Sequence, residues 1–484
     1  MKRTFVLTCA FPVAALAACA HAPPRIDGGA GAPARPSEFW VPPASVTAPA
    51  APAARPVAPV MQAALERLTL ANIVEIALRN NPATRISWAQ ARAAADNYGA
   101  SRGPLVPLLT AGVTASRTKT ATAVNGVERT QYGPSASLSY MVLDLGGRAG
   151  SIDAARSTAI TADFSHNVTV QNTILQTEGA AFAYLATRAL RGAQRAAVDE
   201  AAANLAAAEE RHRVGLATIA DVLQARTARS QEELDLETLD GQLTVTRGGL
   251  AVAMGLPANT ALEAPDVTAP DSTTVAAVSE SVDSLISLAY ARRPDLAAAR
   301  ADADRAAAQV RIEQSAGRPS LSVTASLGYV GSDRTNFAGR NYALNLGIAV
   351  PLFSGFANTY GIHSAEAQLD AAGARVESTR QQIALQVFAS WYALQTAAQR
   401  VRTSAQLLAS AEESEAVARG RYQEGVGSIV DLLLAQSTLA NARAQSVGSG
   451  WQWRTALAQL AHDAGVLGIH GEPTVPLGAP GGGR

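Results

Sequence analysis

One stretch of this 484-residue chain is written twice, 210 positions apart. Arg211 to Arg226 reads RHRVGLATIADVLQAR, and Arg421 to Gln436 reads RYQEGVGSIVDLLLAQ. A duplication at this spacing means that whatever one half of the chain builds, the other builds again. Gly215 and Gly425 each stand where one helical pattern stops and a second begins, and glycine turns a chain without a Cβ penalty. Both stretches are therefore expected to be helical hairpin turns. Beyond them, Ile219, Val222, Leu223 and Arg226, and likewise Ile429, Leu432, Leu433 and Gln436, follow the i, i+3, i+4, i+7 template of one helix face. Asp221 and Asp431 lie roughly opposite those stripes, away from the partner helix.

Proline placement extends the argument. None occurs between Pro134 and Pro257, or between Pro351 and Pro473. In the second interval a helix from about Asn358 to Tyr422 would be about 100 Å long at 1.5 Å per residue. A helix of that length needs lateral partners throughout, which points to coiled-coil packing. Composition agrees: aromatics are 5%, alanine leads the apolar count, and lysine occurs only as Lys2 and Lys119. Alanine-rich stretches bearing Arg and Glu favour long helices in close contact. Two ordinary helices with an unmarked break near Gly179, Gly192 or Gly373 are the alternative. The formal net charge of zero gives no nucleic-acid footprint.

Ahead of each long pattern come two shorter helical segments and two alternating ones. LTLANIVEIALRNNP carries Leu70, Ile73, Val74, Ala77 and Leu78 on one face, and VDSLISLAYARRP, Val282 to Pro294, repeats the design 212 positions later. Helical pattern then runs to about Arg102 and Ala316. Leu109, Ala111, Val113 and Ala115 alternate with Thr110, Gly112, Thr114 and Ser116, and Ala136, Leu138 and Tyr140 with serines. In the second half Leu321, Val323, Ala325, Leu327 and Tyr329 alternate, as do Tyr342, Leu344, Leu346, Ile348 and Val350. Period two marks strands, expected at about 106–118, 130–141, 320–330 and 340–351, with polar loops at about 119–131 and 331–340.

The N-terminus reads as a secretory signal: Lys2 and Arg3, then an apolar run from Phe5 to Ala18. Leu16-Ala17-Ala18-Cys19 resembles a lipoprotein box, in which cleavage leaves the cysteine to be lipidated; an ordinary signal with an incidental cysteine is the alternative. Cys9 falls inside the signal, so a mature chain with Cys19 alone can form no internal disulfide, and anchorage is its better use. Ala20 rather than Asp after it implies the outer membrane in the lipoprotein pattern. Residues 1–18 are expected to be signal peptide and 19–67 a lipid-anchored Ala/Pro-rich tether. The first repeat then covers 68–257, a linker 258–281, the second repeat 282–465, and a flexible tail 466–484.

No later stretch has 18 uninterrupted apolar residues, so any membrane span must be made of strands. Four strands cannot close a barrel, and open edges in a bilayer leave backbone groups unpaired. The smallest membrane barrels need about eight strands, so several subunits must contribute: two would give eight and three would give twelve. A soluble sheet would also alternate, but would not explain why the strand pairs adjoin such long helices.

The fold class is thus mainly α with membrane β, in two tandem repeats of helix, helix, strand, strand, long helix, glycine turn and returning helix. With the lipobox, this resembles the TolC-type outer membrane factors, especially their lipoprotein branch of drug-efflux channels. The resemblance covers residues 68 to 465, and its most specific part is the twice-written turn, Arg-x-x-x-Gly-x-x-x-Ile-x-Asp. It implies a homotrimer with a twelve-stranded outer membrane barrel, continued by a twelve-helix periplasmic tube that carries the two glycine turns at its far end. It also implies a periplasmic adaptor and an inner-membrane pump as partners, besides outer membrane lipid. In the family the second-repeat turn helps close the periplasmic entrance through a tyrosine, an arginine and two aspartates. Tyr422 and Asp431 match the tyrosine and one aspartate, whereas Gly427 stands at the arginine and Leu434 at the other aspartate. Asp221 keeps an acidic position in the first repeat, where His212 replaces the tyrosine. Asp221, Asp431 and Tyr422 are the gate candidates: six carboxylates of a trimer near the opening would raise one another's pKa and attract cations. Alternatively, both aspartates serve the turn or a solvated face. Arg211, Gly215, Leu216, Arg421, Gly425 and Val426, beside the small Gly427 and Ser428, are the candidates for adaptor docking.

Catalytic chemistry is not signalled. His21, His166, His212, His363, His462 and His470 have no metal-ligand spacing, and LGGRAG at Leu145 to Gly150 lacks dinucleotide spacing and reads better as helix entry below a barrel. Trp451 and Trp453 sit on a late helix, where packing is expected over ligand stacking. No cofactor is implied beyond covalent lipid on Cys19. The expected function is a passive exit duct for drugs or other small molecules in a tripartite efflux system. Protein secretion, metal-ion efflux, and a lipid-anchored coiled-coil scaffold without a pore are the alternatives.

Overall fold

A computed structural model describes residues 68–120, 127–263, 275, 280–332 and 338–467. The expected signal peptide, Cys19, the expected tether, most of the expected linker and the end of the expected tail lie outside the described residues. The first repeat runs α1 (Leu70–Asn80), α2 (Pro82–Ser101), a short 3-10 turn (Gly103–Leu105), β1 (Leu108–Thr120), β2 (Val127–Leu143), α3 (Gly147–Arg213) and α4 (Ile219–Ala253). The second runs α5 (Val282–Arg292), α6 (Pro294–Ala316), β3 (Ser320–Ser332), β4 (Ala338–Ala349), α7 (Ala357–Gln423) and α8 (Ile429–Asp463). The element order is the one the sequence implies. β4 stops at Ala349, short of the expected 351, because Pro351 has no N–H to give to a ladder.

Each short helix pair breaks at a proline that opens the next helix. Asn81 ends α1, then caps α2 by accepting from Ala83 N at 2.9 Å, with Pro82 in the first turn. The long helices α3 and α7 are 67 residues each, about 100 Å, and run unbroken through Gly179, Gly192 and Gly373. Polar residues enter their seams by satisfying themselves. Along α3, Thr161, Ser165, Thr169, Thr173 and Thr177 each donate to the carbonyl four residues back, so Thr173 and Thr177 are buried without a lateral partner.

The largest apolar cluster lies where the short helices pack onto the long ones: Val74 of α1, Ile174 of α3, Leu285 of α5, Leu296 of α6, Ile383 and Leu394 of α7, and Trp453 and Leu460 of α8. Trp451 joins a neighbouring cluster with Phe182 and Leu185. Both tryptophans are therefore packing residues, as expected. Nearer the turns the seams narrow to Leu205, Ala208, Val222 and Ala225 in the first hairpin and Ala411, Leu439 and Ala442 in the second.

The strands form one antiparallel sheet in the order β1-β2-β3-β4, so the pair from each repeat is joined edge to edge through β2 and β3. The register aligns the alternation across all four. Leu109, Leu138, Ala325 and Leu344 make one row and Ala111, Ala136, Leu327 and Tyr342 the next, while Thr110, Ser137 and Ser326 fall on the opposite face. No described helix covers the apolar face: Val113 is 81% exposed and Tyr342 86%. The edges β1 and β4 have no neighbour among the described residues.

Strand passes to long helix through a joint of two left-handed residues. These are Leu145 (φ 49°) and Gly146 (φ 115°) in the first repeat, and Gly355 (φ 62°) and Phe356 (φ 65°) in the second. Asp144 then caps α3 by accepting from Arg148 N at 2.5 Å, and Ser354 plays the same part toward Asn358 N at 3.4 Å. LGGRAG is thus helix entry. Arg148 fastens its joint further, donating to the carbonyls of Pro104 and Val142 at 3.1 Å each.

Candidate functional site

The two turns are built alike from the backbone up. At the end of α3, Gly215 N donates to His212 O and Leu216 N to Arg211 O; at the end of α7, Gly425 N donates to Tyr422 O and Val426 N to Arg421 O. This is the paired bonding of a Schellman cap, with the glycine at φ 79° or 76°. A capping box then opens the returning helix. The Thr218 hydroxyl accepts from Asp221 N and the Asp221 carboxylate from Thr218 N at 2.8 Å; Ser428 and Asp431 repeat this, with the second bond at 3.4 Å. Both aspartates thus serve their own turn, and both remain at least partly open to solvent.

The side chains around the turns differ. In the second copy Ile429 and Leu432 are buried against Tyr422, as the stripe requires. In the first copy the expected stripe is corrected: Val222 and Ala225 form the buried seam, whereas Ile219 and Leu223 are exposed. The partner positions on α3, Leu205 and Ala208, present a narrow contact that reaches only one side of α4. At the tips, Leu216 is 72% exposed and Val426 69%. Beside the first turn, the Arg213 guanidinium holds the Glu210 carboxyl below the ordinary carboxylate range.

Arg211 and Arg421 have different surroundings. Arg421 is exposed, and it lines a hollow of about 340 Å³ with Gly427, Asp431 and Leu434. Arg211 reaches across to the other repeat: its Nη1 donates to the Tyr422 carbonyl, and its guanidinium lies 4.7 Å over the Tyr422 ring. Tyr422 is buried, and its hydroxyl has no hydrogen-bond partner among the described residues. The gate candidates are therefore divided, with Tyr422 turned toward the first repeat and Asp431 in the hollow on the other side.

Between the repeats, above this contact, is a cleft of about 550 Å³ lined by Asn204, Arg211, Leu216, Arg419, Tyr422 and Gln436. A polar seam crosses it. Asn204 Nδ2 donates to Gln436 Oε1 at 2.5 Å, Gln436 Nε2 to Glu415 Oε1 at 3.3 Å, and Arg419 Nε to the same oxygen at 2.9 Å. Arg443 pairs with Glu200 at 3.1 Å. Local sequence pattern does not disclose this seam. Its one signal was Gln436, a polar residue at a stripe position; Asn204, 232 residues away, carries no local mark. Among the described residues no cluster of His, Cys, Asp or Glu is able to hold a metal ion.

The model of the outer membrane efflux protein family matches residues 73–256 and 285–466, which covers most of both repeats. This chain belongs to that family. Its sheet is accordingly the outer membrane part and its helices the periplasmic part of an efflux channel of the tripartite kind. Protein CyaE of Bordetella pertussis is 29% identical over 438 residues, covering 88% of this chain and 90% of that one. Outer membrane protein TolC of Escherichia coli is 24% identical over 415 residues, 82% of each. The crystal structure of the outer membrane protein VceC from Vibrio cholerae has the same fold, with a TM-score of 0.73 at 22% identity over 82% of this chain and 96% of that one.

Proposed function

We propose that three copies of this chain pair β1 of one with β4 of the next, closing a twelve-stranded barrel whose helices continue as a periplasmic tube. The observation that carries this reading is the open four-stranded sheet with one uncovered apolar face. An open edge in a bilayer leaves a row of backbone groups unpaired, and pairing between copies removes it. The turns form the periplasmic end, where Asp221 and Asp431 of three protomers supply six carboxylates and favour cations at the entrance. A periplasmic adaptor docks on the tips at Leu216, Val426 and Arg421, and an inner-membrane pump drives drugs or other small molecules through the duct. Arg211, committed to Tyr422, contributes to docking only through its place beside Leu216. Cys19, the single cysteine after the signal, carries the lipid anchor; its replacement by serine abolishes labelling by palmitate.

Planar-bilayer recording of the purified oligomer tests the reading. Stepwise, cation-preferring currents are expected. A folded oligomer that passes no current would leave a lipid-anchored scaffold as the better account.

A further inference from the structure

We infer that Arg211 is a positioning residue for the periplasmic entrance, tying the second turn to the first within one protomer so that the two tips move as a unit. The inference rests on the channel reading above. Arg211 takes part in closing both turns at once. Its own carbonyl accepts the Leu216 amide at 2.8 Å and so closes the first turn. Its side chain donates to the Tyr422 carbonyl, which also accepts the Gly425 amide that closes the second. The guanidinium is stacked 4.7 Å over a buried ring, where a cation and an aromatic face attract through less water than at an open surface. The phenol hydroxyl contributes nothing to this tie, since it has no partner among the described residues; ring face and backbone carbonyl do the holding.

The tie has one direction. Arg421, the counterpart in the second repeat, is exposed and makes no side-chain hydrogen bond or ion pair among the described residues. Farther along the helices Asn204 to Gln436 and Glu200 to Arg443 bridge the same two repeats. A motion that separates the turns of one protomer must therefore break the Arg211 contact first. A motion that leaves it intact must open the entrance between protomers. Lysine is a poor substitute, because it keeps one donor for the carbonyl but loses the planar group that stacks.

The full-length oligomer is to be compared as wild type, Arg211→Ala and Arg211→Lys, by single-channel conductance and by amide hydrogen exchange across residues 420–430. Arg211→Ala is expected to raise open probability and to speed exchange at Gly425 and Val426 by about tenfold, leaving Leu216 unchanged because its acceptor is backbone. Arg211→Lys falls between. Should Arg211→Ala fail to assemble, Arg211→Gln, which keeps a donor without the charge, is read in its place. Unchanged exchange in the second turn overturns the tie, and faster exchange with unchanged open probability overturns its role at the entrance. A wild-type oligomer that passes no current defeats the channel reading, while the exchange measurement still judges the tie.

Discussion

The two turns share a backbone and lean on different things. Each has the same paired caps, a glycine at nearly the same φ and a Ser/Thr-x-x-Asp box. The first is finished by hydrogen bonds in water: His212 Nδ1 lies 2.9 Å from Ala217 O, and its neighbours Leu216 and Ile219 are exposed. The second is finished by packing, with Tyr422, Ile429 and Leu432 in one cluster and Arg211 laid over the ring. Turn geometry is thus set by a few backbone-directed residues, and it leaves the remaining side chains free to choose between solvent and core.

The asymmetry is most exposed by truncating the corresponding residues His212 and Tyr422. Tyr422→Ala removes a buried ring and is expected to lower the opening free energy of its turn by about 3 to 5 kcal/mol. His212→Ala loses one solvent-exposed contact, worth below about 1 kcal/mol. Hydrogen exchange at Val426 and Leu216 reads the two effects. Equal losses would show that the turns are supported alike.

A second contrast lies higher in the helices, where the 210-residue offset sets Glu178 against Phe388. Phe388 is exposed and its ring lies 4.7 Å from that of Tyr392 at a tilt of 55°, whereas Glu178 is 2% exposed with one carboxylate oxygen unpartnered among the described residues, and burial pushes its pKa up from 4.5 to about 7. Below pH 4.5 the carboxyl is protonated folded and unfolded alike, and it costs nothing by ionisation. As pH rises from there toward 7, the unfolded chain gives up the proton and the folded chain keeps it, so stability falls through that window and stays lower above it. The loss is about 3 kcal/mol at most. Glu178→Gln removes the titration. Its advantage over wild type in thermal unfolding is expected to grow from about pH 5 to about pH 8. An advantage independent of pH would mean that the carboxyl is not the cause.

The smallest effect concerns Ala217 and Gly427, which hold the same place in the two turns. A Cβ at Gly427 would sit 3.0 Å from Arg421 Cβ, so Gly427→Ala is expected to cost about 1 kcal/mol by crowding. Ala217→Gly should cost less. Chemical denaturation of the two variants compares them, and a larger loss for Ala217→Gly would deny the tighter packing of the second turn.

What the sequence disclosed follows from range. Period two in Leu109 to Ser116, the proline-free intervals and the glycines at 215 and 425 are local, and each specified its element without help from the rest of the chain, whereas the capping boxes at Thr218 and Ser428 emerge only in the structure. The joining of β2 to β3 was not legible, because the residues that meet there, Leu138 and Ala325 among them, are 187 positions apart and carry only the alternation common to all four strands. The same holds for Arg211 over Tyr422. Spacing showed two equivalent arginines, and only the fold shows that one is committed across the repeats while the other faces solvent. The stripe through Ile219 and Leu223 misled for a related reason: helical periodicity finds an apolar face but not how wide a neighbour will cover it.

The joints between strand and long helix hold a different kind of record. Both place two successive residues in the left-handed region, yet glycine is second in Leu145-Gly146 and first in Gly355-Phe356. Each joint therefore keeps one non-glycine residue in a conformation that costs about 1 to 2 kcal/mol. The geometry is the same in both halves, whereas the residue that bears the strain differs by one position between them. In a chain made by doubling, the shape of a connection can be inherited while the residue that bears its load is exchanged.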